Sequence, residues 1–185
     1  IEVRIVYAMH GREINFHDVH LAFVFAKQPP SGPMIEAHFY LAGQSVPVCS
    51  PSRLAVLGHR PETLADFLTL GLLHDGTSAG WINWLSGVDG GFPDQASTAV
   101  LDGTTFEDFN LLRTAALSGQ GAALCPKAMI QADLESGGLV QIPHRVQDDG
   151  HNYYLLSSTS VAPMVNRQAQ VFPDWAMAER DESLS

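Results

Sequence analysis

The sequence predicts an α/β fold, and three observations carry that prediction. Apolar runs of strand length recur along the chain, amphipathic segments with recognisable caps fall between them, and Gly- or Pro-rich turns punctuate both. Strand and helix mostly alternate, which favours a largely parallel sheet. The 185 residues suit one domain or two small lobes, and 45% apolar against 16% charged residues mark a globular chain.

The elements follow in order. "IEVRIVYA" alternates Ile1, Val3 and Ile5 with Glu2 and Arg4, the period of a strand. "VHLAFVFA" (Val19–Ala26) is a nearly continuous apolar run, as expected of a strand covered on both faces. Gln28–Pro33 is a loop. "MIEAHFYLAGQSVPVCS" is strand material interrupted at Gly43, and Pro47 places its second half at an edge or a crossing. "RPETLADFLTL" starts a helix with Pro61 near its first turn and Leu64, Phe67 and Leu68 on one side. "GWINWLSG" is a short helix with Trp81, Trp84 and Leu85 on one face. "STAVLDGT" is a short strand.

In "TFEDFNLLRTAALSGQG" Thr105 can cap a helix whose apolar stripe is Phe109, Leu112, Ala115 and Ala116, with Gly119 at the C′ position. "AALCP" is a buried strand, "KAMIQADLESGG" a helix closed by Gly137, and "LVQIPH" and "NYYLLSSTS" are strands. "VNRQAQVFPDWAMAER" is a last helix that kinks at Pro173, followed by a polar, frayed tail.

Composition removes several classes of function. A formal net charge of -10, with ten scattered Lys and Arg, argues against a nucleic-acid surface, which needs clustered cations to displace counterions. No apolar run approaches the ~20 residues that span a bilayer, and no basic-then-apolar signal peptide opens the sequence. The first residue is Ile rather than Met, as expected of a fragment or a processed product. Cys49 and Cys125 read as small buried hydrophobes in a reducing compartment.

The motif that most invites a catalytic reading is Gly-Thr-Ser-Ala-Gly at 76–80, the G-x-S-x-G pattern of a nucleophile elbow around Ser78. Two polar residues, His74 and Asp75, separate it from the apolar run, and Trp81 is large for a helix packed closely on its strand. A turn in which Thr77 or Ser78 caps the Trp81 helix is the stronger reading. "SGQG" (118–121) follows a helix instead of opening one, so it is a C-cap rather than a phosphate loop. His10, His17 and His20 lack ligand spacing, and no metal or cofactor is expected. Glu107 and Asp108 suit a first helical turn, where negative charge favours the dipole.

Ligands of open α/β sheets gather beyond the carboxyl ends of strands. Those ends are Met9–His10, Phe25–Ala26–Lys27, His74–Asp75–Gly76 and Gly103–Thr104–Thr105. Helix starts at Thr77–Ser78 and Thr105–Phe106 would aim free N–H groups at the same region.

The order and spacing of "VPVCSPSRL", "RPETLADFLTLGLLHDGTSAGWINWL", "FEDFNLLRTAALSGQGAALCPKAMIQADLESGGLVQI", "NYYLLSS" and Asp174–Trp175 are similar to the effector-binding domain of LysR-type transcriptional regulators. The flavour is that of the glycine-cleavage activator and beta-lactamase regulator branch. The resemblance implies a periplasmic-binding-protein-like fold of type 2, with two Rossmann-like lobes joined by two crossing strands. Lobe I would be 1–46 with 142–185 and lobe II 47–141, with crossings near Val46–Cys49 and Leu139–Pro143.

It also implies a small-molecule effector in the cleft between lobes, touching Met9, Phe25, Ala26, His74, Asp75, Thr77, Ser78, Thr105, Phe106 and Tyr153. The protein would be cytoplasmic, homodimeric and not an enzyme. It would meet DNA only through an N-terminal winged helix-turn-helix, which these residues do not contain. The family's first effector-domain strand and helix are likewise missing ahead of "IEVRIVYA". "HLAFVFA" stands where the family usually has D-L-A-I-R-Y-G, so Val24 and Phe25 replace Arg and Tyr and point to a more apolar or neutral ligand. The rival readings are a stand-alone solute-binding protein of the same fold and a serine hydrolase using Ser78.

Overall fold

The computed structural model describes residues 6, 14–16, 19–86, 102–142, 146–158 and 163–183, the last helix with side chains at 171–181. In chain order the elements are β1 (Leu21–Ala26), β2 (Ile35–Ala42), β3 (Ser45–Cys49), α1 (Pro51–Leu54), α2 (Leu64–Leu70), β4 (Leu72–Asp75), α3 (Ala79–Ser86) and β5 (Thr104–Phe106). There follow α4 (Phe109–Leu117), β6 (Ala122–Pro126), a 3₁₀ turn (Lys127–Met129), α5 (Gln131–Glu135), β7 (Val140–Gln141), β8 (Asn152–Ser158) and α6 (Pro163–Ser183). The strand expected in "IEVRIVYA" and most of "STAVLDGT" lie outside the described residues. The chain divides into two compact units, Ile1–Gly43 with Asp149–Ser185, and Gln44–Asp148.

The first unit carries a three-stranded sheet in the order β1-β8-β2, antiparallel throughout. β1 begins at Leu21, two residues after the expected start, and is not covered on both faces: Phe23 and Phe25 are exposed and their neighbours half-buried. The unbroken apolar run hides a two-residue alternation. A bulge between Phe39 and Leu41 lets the Tyr40 ring reach Phe23, with centroids 4.8 Å apart. α6 is tied to β2 by Arg180, whose Nη1 donates to the Phe39 carbonyl at 2.9 Å. Its helical assignment runs through Pro173 and on to Ser183, into the tail expected to fray.

The second unit is a five-stranded sheet in the order β5-β4-β6-β3-β7. Among the described strands only β4 pairs in parallel, with β5 and β6, so the expectation of a largely parallel sheet is corrected. β3 brings the chain into this unit and β7 precedes its exit, so as neighbours they run in opposite directions. Pro47 lies in an interior strand, yet its carbonyl accepts from Ile142. Its missing N–H therefore faces past the two-residue β7 and interrupts no bond to β6.

Two cores cover the two faces. Leu72 joins Cys49, Phe67, Leu70, Trp81, Trp84, Leu85, Ala122 and Ile142 under α2 and α3. Leu73, one residue on, joins Val46, Val48, Leu112, Ala115, Ala116, Cys125 and Leu139 under α4. Adjacent residues of a strand point to opposite faces, which is why β4 feeds both. Trp81 and Trp84 meet edge to face at 5.7 Å, and the Trp81 indole N–H donates to the Leu73 carbonyl at 2.9 Å inside the core.

The helix ends are written in the sequence, some of them a few residues from where its motifs suggest. α2 starts at Leu64 behind a capping box of Thr63 and Asp66, so Pro61 precedes the cap instead of entering the first turn. Thr105 does not cap α4. Residues Thr104–Phe106 are drawn into β5 by parallel pairing with β4, and Asp108 becomes the cap, accepting from the Asn110 and Leu111 amides. At the other end of α4 the Gln120 N–H bonds the Ala115 carbonyl and the Gly119 N–H that of Ala116, a Schellman closure. Asp133 on α5, buried, holds Arg113 of α4 through both carboxylate oxygens.

Both cysteines are fully buried. Burial pushes the Cys49 thiol up to about 11 and that of Cys125 up to about 12. At pH 8 neither thiol should react with Ellman's reagent until denaturant is added, and both should then react. The Trp81 bond has its own test. Trp81→Phe removes this side-chain donor while the β4 pairing stays, and should lower unfolding free energy in urea by about 1 kcal/mol.

Candidate functional site

The geometry of the second unit's candidate site comes from the ends of β4 and β5. The parallel register sets His74 beside Thr105 and Asp75 beside Phe106. The chain then turns: the Gly76 N–H donates to the Phe106 carbonyl at 2.8 Å and the Thr77 N–H to that of Asp75. Thr77 Oγ1 accepts from the Ala79 N–H at 3.3 Å, and the Ser78 carbonyl receives the first helical bond, from Ile82. Thr77 therefore caps α3, as one of the two residues expected to.

His74 and Asp75 separate by alternation. His74 shares the Leu72 face and is 1% exposed, and neither ring nitrogen has a hydrogen-bond partner among the described residues. Its Nε2 is so close to the backbone at 103 that a Cβ there would lie 2.5 Å away, which only glycine permits. Asp75 is exposed at the strand tip. Its carboxyl is nonetheless held above the ordinary carboxylate range, first by partial desolvation in the turn and then by Asp108, the α4 cap. Exposure keeps the energetic weight of that shift small.

The first unit gathers Phe25, Ala26 and Tyr153 at one end of its sheet, where Phe25 pairs with Tyr153 and Ala26 with Asn152. The Phe25 ring lies 4.8 Å from that of Tyr153 and stacks at 4.9 Å and 17° on His151. Met9 lies outside the described residues. The sequence motifs did not single out Asp149, which with Gly150 and His151 forms an Asx-type turn; the Asp-Gly pair was the available signal.

The turn around Ser78 is not built as a nucleophile elbow. Ser78 follows the end of β4 by three residues, and no described non-glycine residue has a positive φ, the strain that lifts an elbow serine. Asp133, one acid available to a triad, is engaged by Arg113. Among the described residues no three His, Cys, Asp or Glu side chains gather as metal ligands, and no helix is long and apolar enough to cross a membrane.

Comparison with known proteins bears on this arrangement. The model of the LysR substrate binding domain matches residues 11–176, nine-tenths of the chain. The chain belongs to that family. It is 28% identical over 180 residues to the glycine cleavage system transcriptional activator of Escherichia coli (strain K12), covering 97% of this chain and 55% of that protein. The chain thus spans about half the length of the curated relatives it matches. Among solved structures it is similar to the AmpR effector binding domain from Citrobacter freundii, with TM-score 0.69, 19% identity, and coverage of 94% of this chain and 81% of that one. The AmpR effector domain of Pseudomonas aeruginosa gives 0.67 and 21%, with 93% and 78% covered. The fold is that of LysR effector-binding domains, a periplasmic-binding-protein-like α/β architecture of type 2.

The raised Asp75 carboxyl gives a signed prediction. A folded-state value above the unfolded one contributes stability at low pH that is lost as pH rises through the folded value. Ionised Asp75 is therefore a liability at neutral pH. Asp75→Asn should melt slightly higher than the parent chain at pH 7. Thermal scans should show the difference shrinking as pH falls from neutral toward about 4 and gone below it, and an equal gain at pH 3 would contradict this assignment.

Proposed function

We propose that this LysR substrate-binding domain is the effector-sensing part of a transcriptional regulator and is not an enzyme. The family match over residues 11–176 carries this reading. In the second unit the effector contacts are Asp75, Thr77, Ser78, Thr105 and Phe106, at the ends of β4 and β5 and in the turn into α3; His74, 1% exposed on the Leu72 face, supports the strand end from inside instead of touching the ligand. In the first unit they are Phe25, Ala26 and Tyr153, which share one end of a sheet. Met9 rests on the resemblance alone. The two units correspond to the two lobes of such a domain.

The effector acts by population shift, binding one conformation of the regulator better than another. Transmission to DNA belongs to a helix-turn-helix carried elsewhere in the full-length regulator, which is a cytoplasmic homodimer in this reading. Ser78 offers a hydrogen bond to the ligand and attacks nothing.

A thermal-shift screen of amino acids, aromatic carboxylates, peptidoglycan fragments and neutral aromatics tests it. A compound at 100 times its dissociation constant should add about 2.7 kcal/mol to stability. Thr105→Ala and Tyr153→Ala should each weaken that compound by roughly tenfold, about 1.4 kcal/mol, while still melting cooperatively. A fluorophosphonate probe should leave the chain unlabelled. Labelling that disappears in Ser78→Ala would overturn the sensing role in favour of a hydrolase.

A further inference from the structure

Phe25 is 36% exposed, so its ring offers part of its surface to a ligand. The rest of that ring is enclosed on several sides. His151 stacks on it nearly parallel at 4.9 Å, and Tyr153 leans against it at 4.8 Å. The backbone at Gly43 closes another side, since a Cβ there would come within 2.6 Å of Phe25 Cε2. Gly43 is held in turn by its own N–H, which donates to Asn152 Oδ1 at 3.4 Å.

What holds the stacked imidazole is a short polar turn. Asp149 Oδ1 accepts the His151 backbone N–H at 3.1 Å and lies 2.8 Å from the ring Nδ1. That second contact is off the line of a directed hydrogen bond, so it holds the ring by close contact, and as an ion pair only when the imidazole is protonated, while the amide supplies the directed bond. The backbone and side chain of His151 hold the Asp149 carboxyl below the ordinary carboxylate range despite a desolvation that works the other way, and Lys27 adds to the lowering. The carboxylate is thus charged and fixed across the neutral range.

We propose that Asp149 and His151 are positioning residues for Phe25: the carboxylate fixes the imidazole, and the imidazole fixes the face that the phenyl ring presents. The consequence for recognition rests on the reading of Phe25 as an effector contact. The positioning does not. A ring packed against a stacked imidazole and a glycine backbone has fewer rotamers open to it, so the pair narrows which ligand outlines this end of the sheet accepts.

The test reads the ring itself. Phe25 is replaced by 4-fluorophenylalanine in the full chain, and its fluorine resonance is recorded without ligand. His151→Leu should move the resonance downfield as ring-current shielding is lost, and His151→Phe should restore it. Asp149→Asn should move it in the same direction as His151→Leu, because the imidazole loses its anchor. Cooperative thermal melting of each variant separates these shifts from loss of fold. A resonance that stays at the parent position in His151→Leu or in Asp149→Asn overturns the proposal. Benzoate, added as a probe, addresses the effector reading separately. A resonance that benzoate does not move counts against an aromatic-carboxylate contact at Phe25 and leaves the positioning result standing.

Discussion

The parallel pairing of β4 with both β5 and β6 is the constraint on which the second unit's candidate site depends. β4 has only four residues, yet Leu72 enters one core, Leu73 enters the other, and the Leu73 carbonyl anchors Trp81. The strand is thereby fixed from both faces and along both edges. Its tip can then be polar without loss of order: His74, Asp75, Thr77 and Ser78 follow one another at a place whose backbone is already determined. The register with β5 adds Thr105 and Phe106 at the same level. A rigid strand end carrying short hydroxyls and a carboxylate suits a small ligand better than a loop of the same composition.

Two aspartates show how local surroundings sort identical side chains. Asp149 sits where an amide and an imidazole from His151 face it, and its charge is favoured. Asp75 is partly desolvated, faces Asp108, and its charge is disfavoured. One carboxylate organises the chain around it, while the other stands at an exposed strand tip with its charge disfavoured.

Much of this was legible in the sequence because it rests on local rules. The Trp81, Trp84 and Leu85 face follows from spacing, the closure of α4 at Gly119 from the left-handed preference of glycine, and the burial of both cysteines from the apolar residues around them. What was misread depends on pairing between distant segments. Thr105 has good capping chemistry, but β4 recruits it into a strand, and the cap passes to Asp108. Phe23 and Phe25 belong to an unbroken apolar run, and only pairing with β8 shows that they share an exposed face. The parallel sheet was overestimated because alternation of strand and helix does not say which strands are neighbours. His74 was placed at a strand end, but its burial against Gly103 required knowing that residue 103 leads into the strand beside it.

The most direct test of the central claim is amide chemical-shift mapping on the isotope-labelled chain, titrated with whichever compound from the thermal-shift screen stabilises it most. The account predicts saturable movements concentrated at the amides of Asp75 to Ala79 and Thr105 to Asp108, with a second group at Ala26 and Tyr153. Movements confined to the outer faces of α2 or α4, with the strand ends of β4 and β5 unmoved, would contradict it.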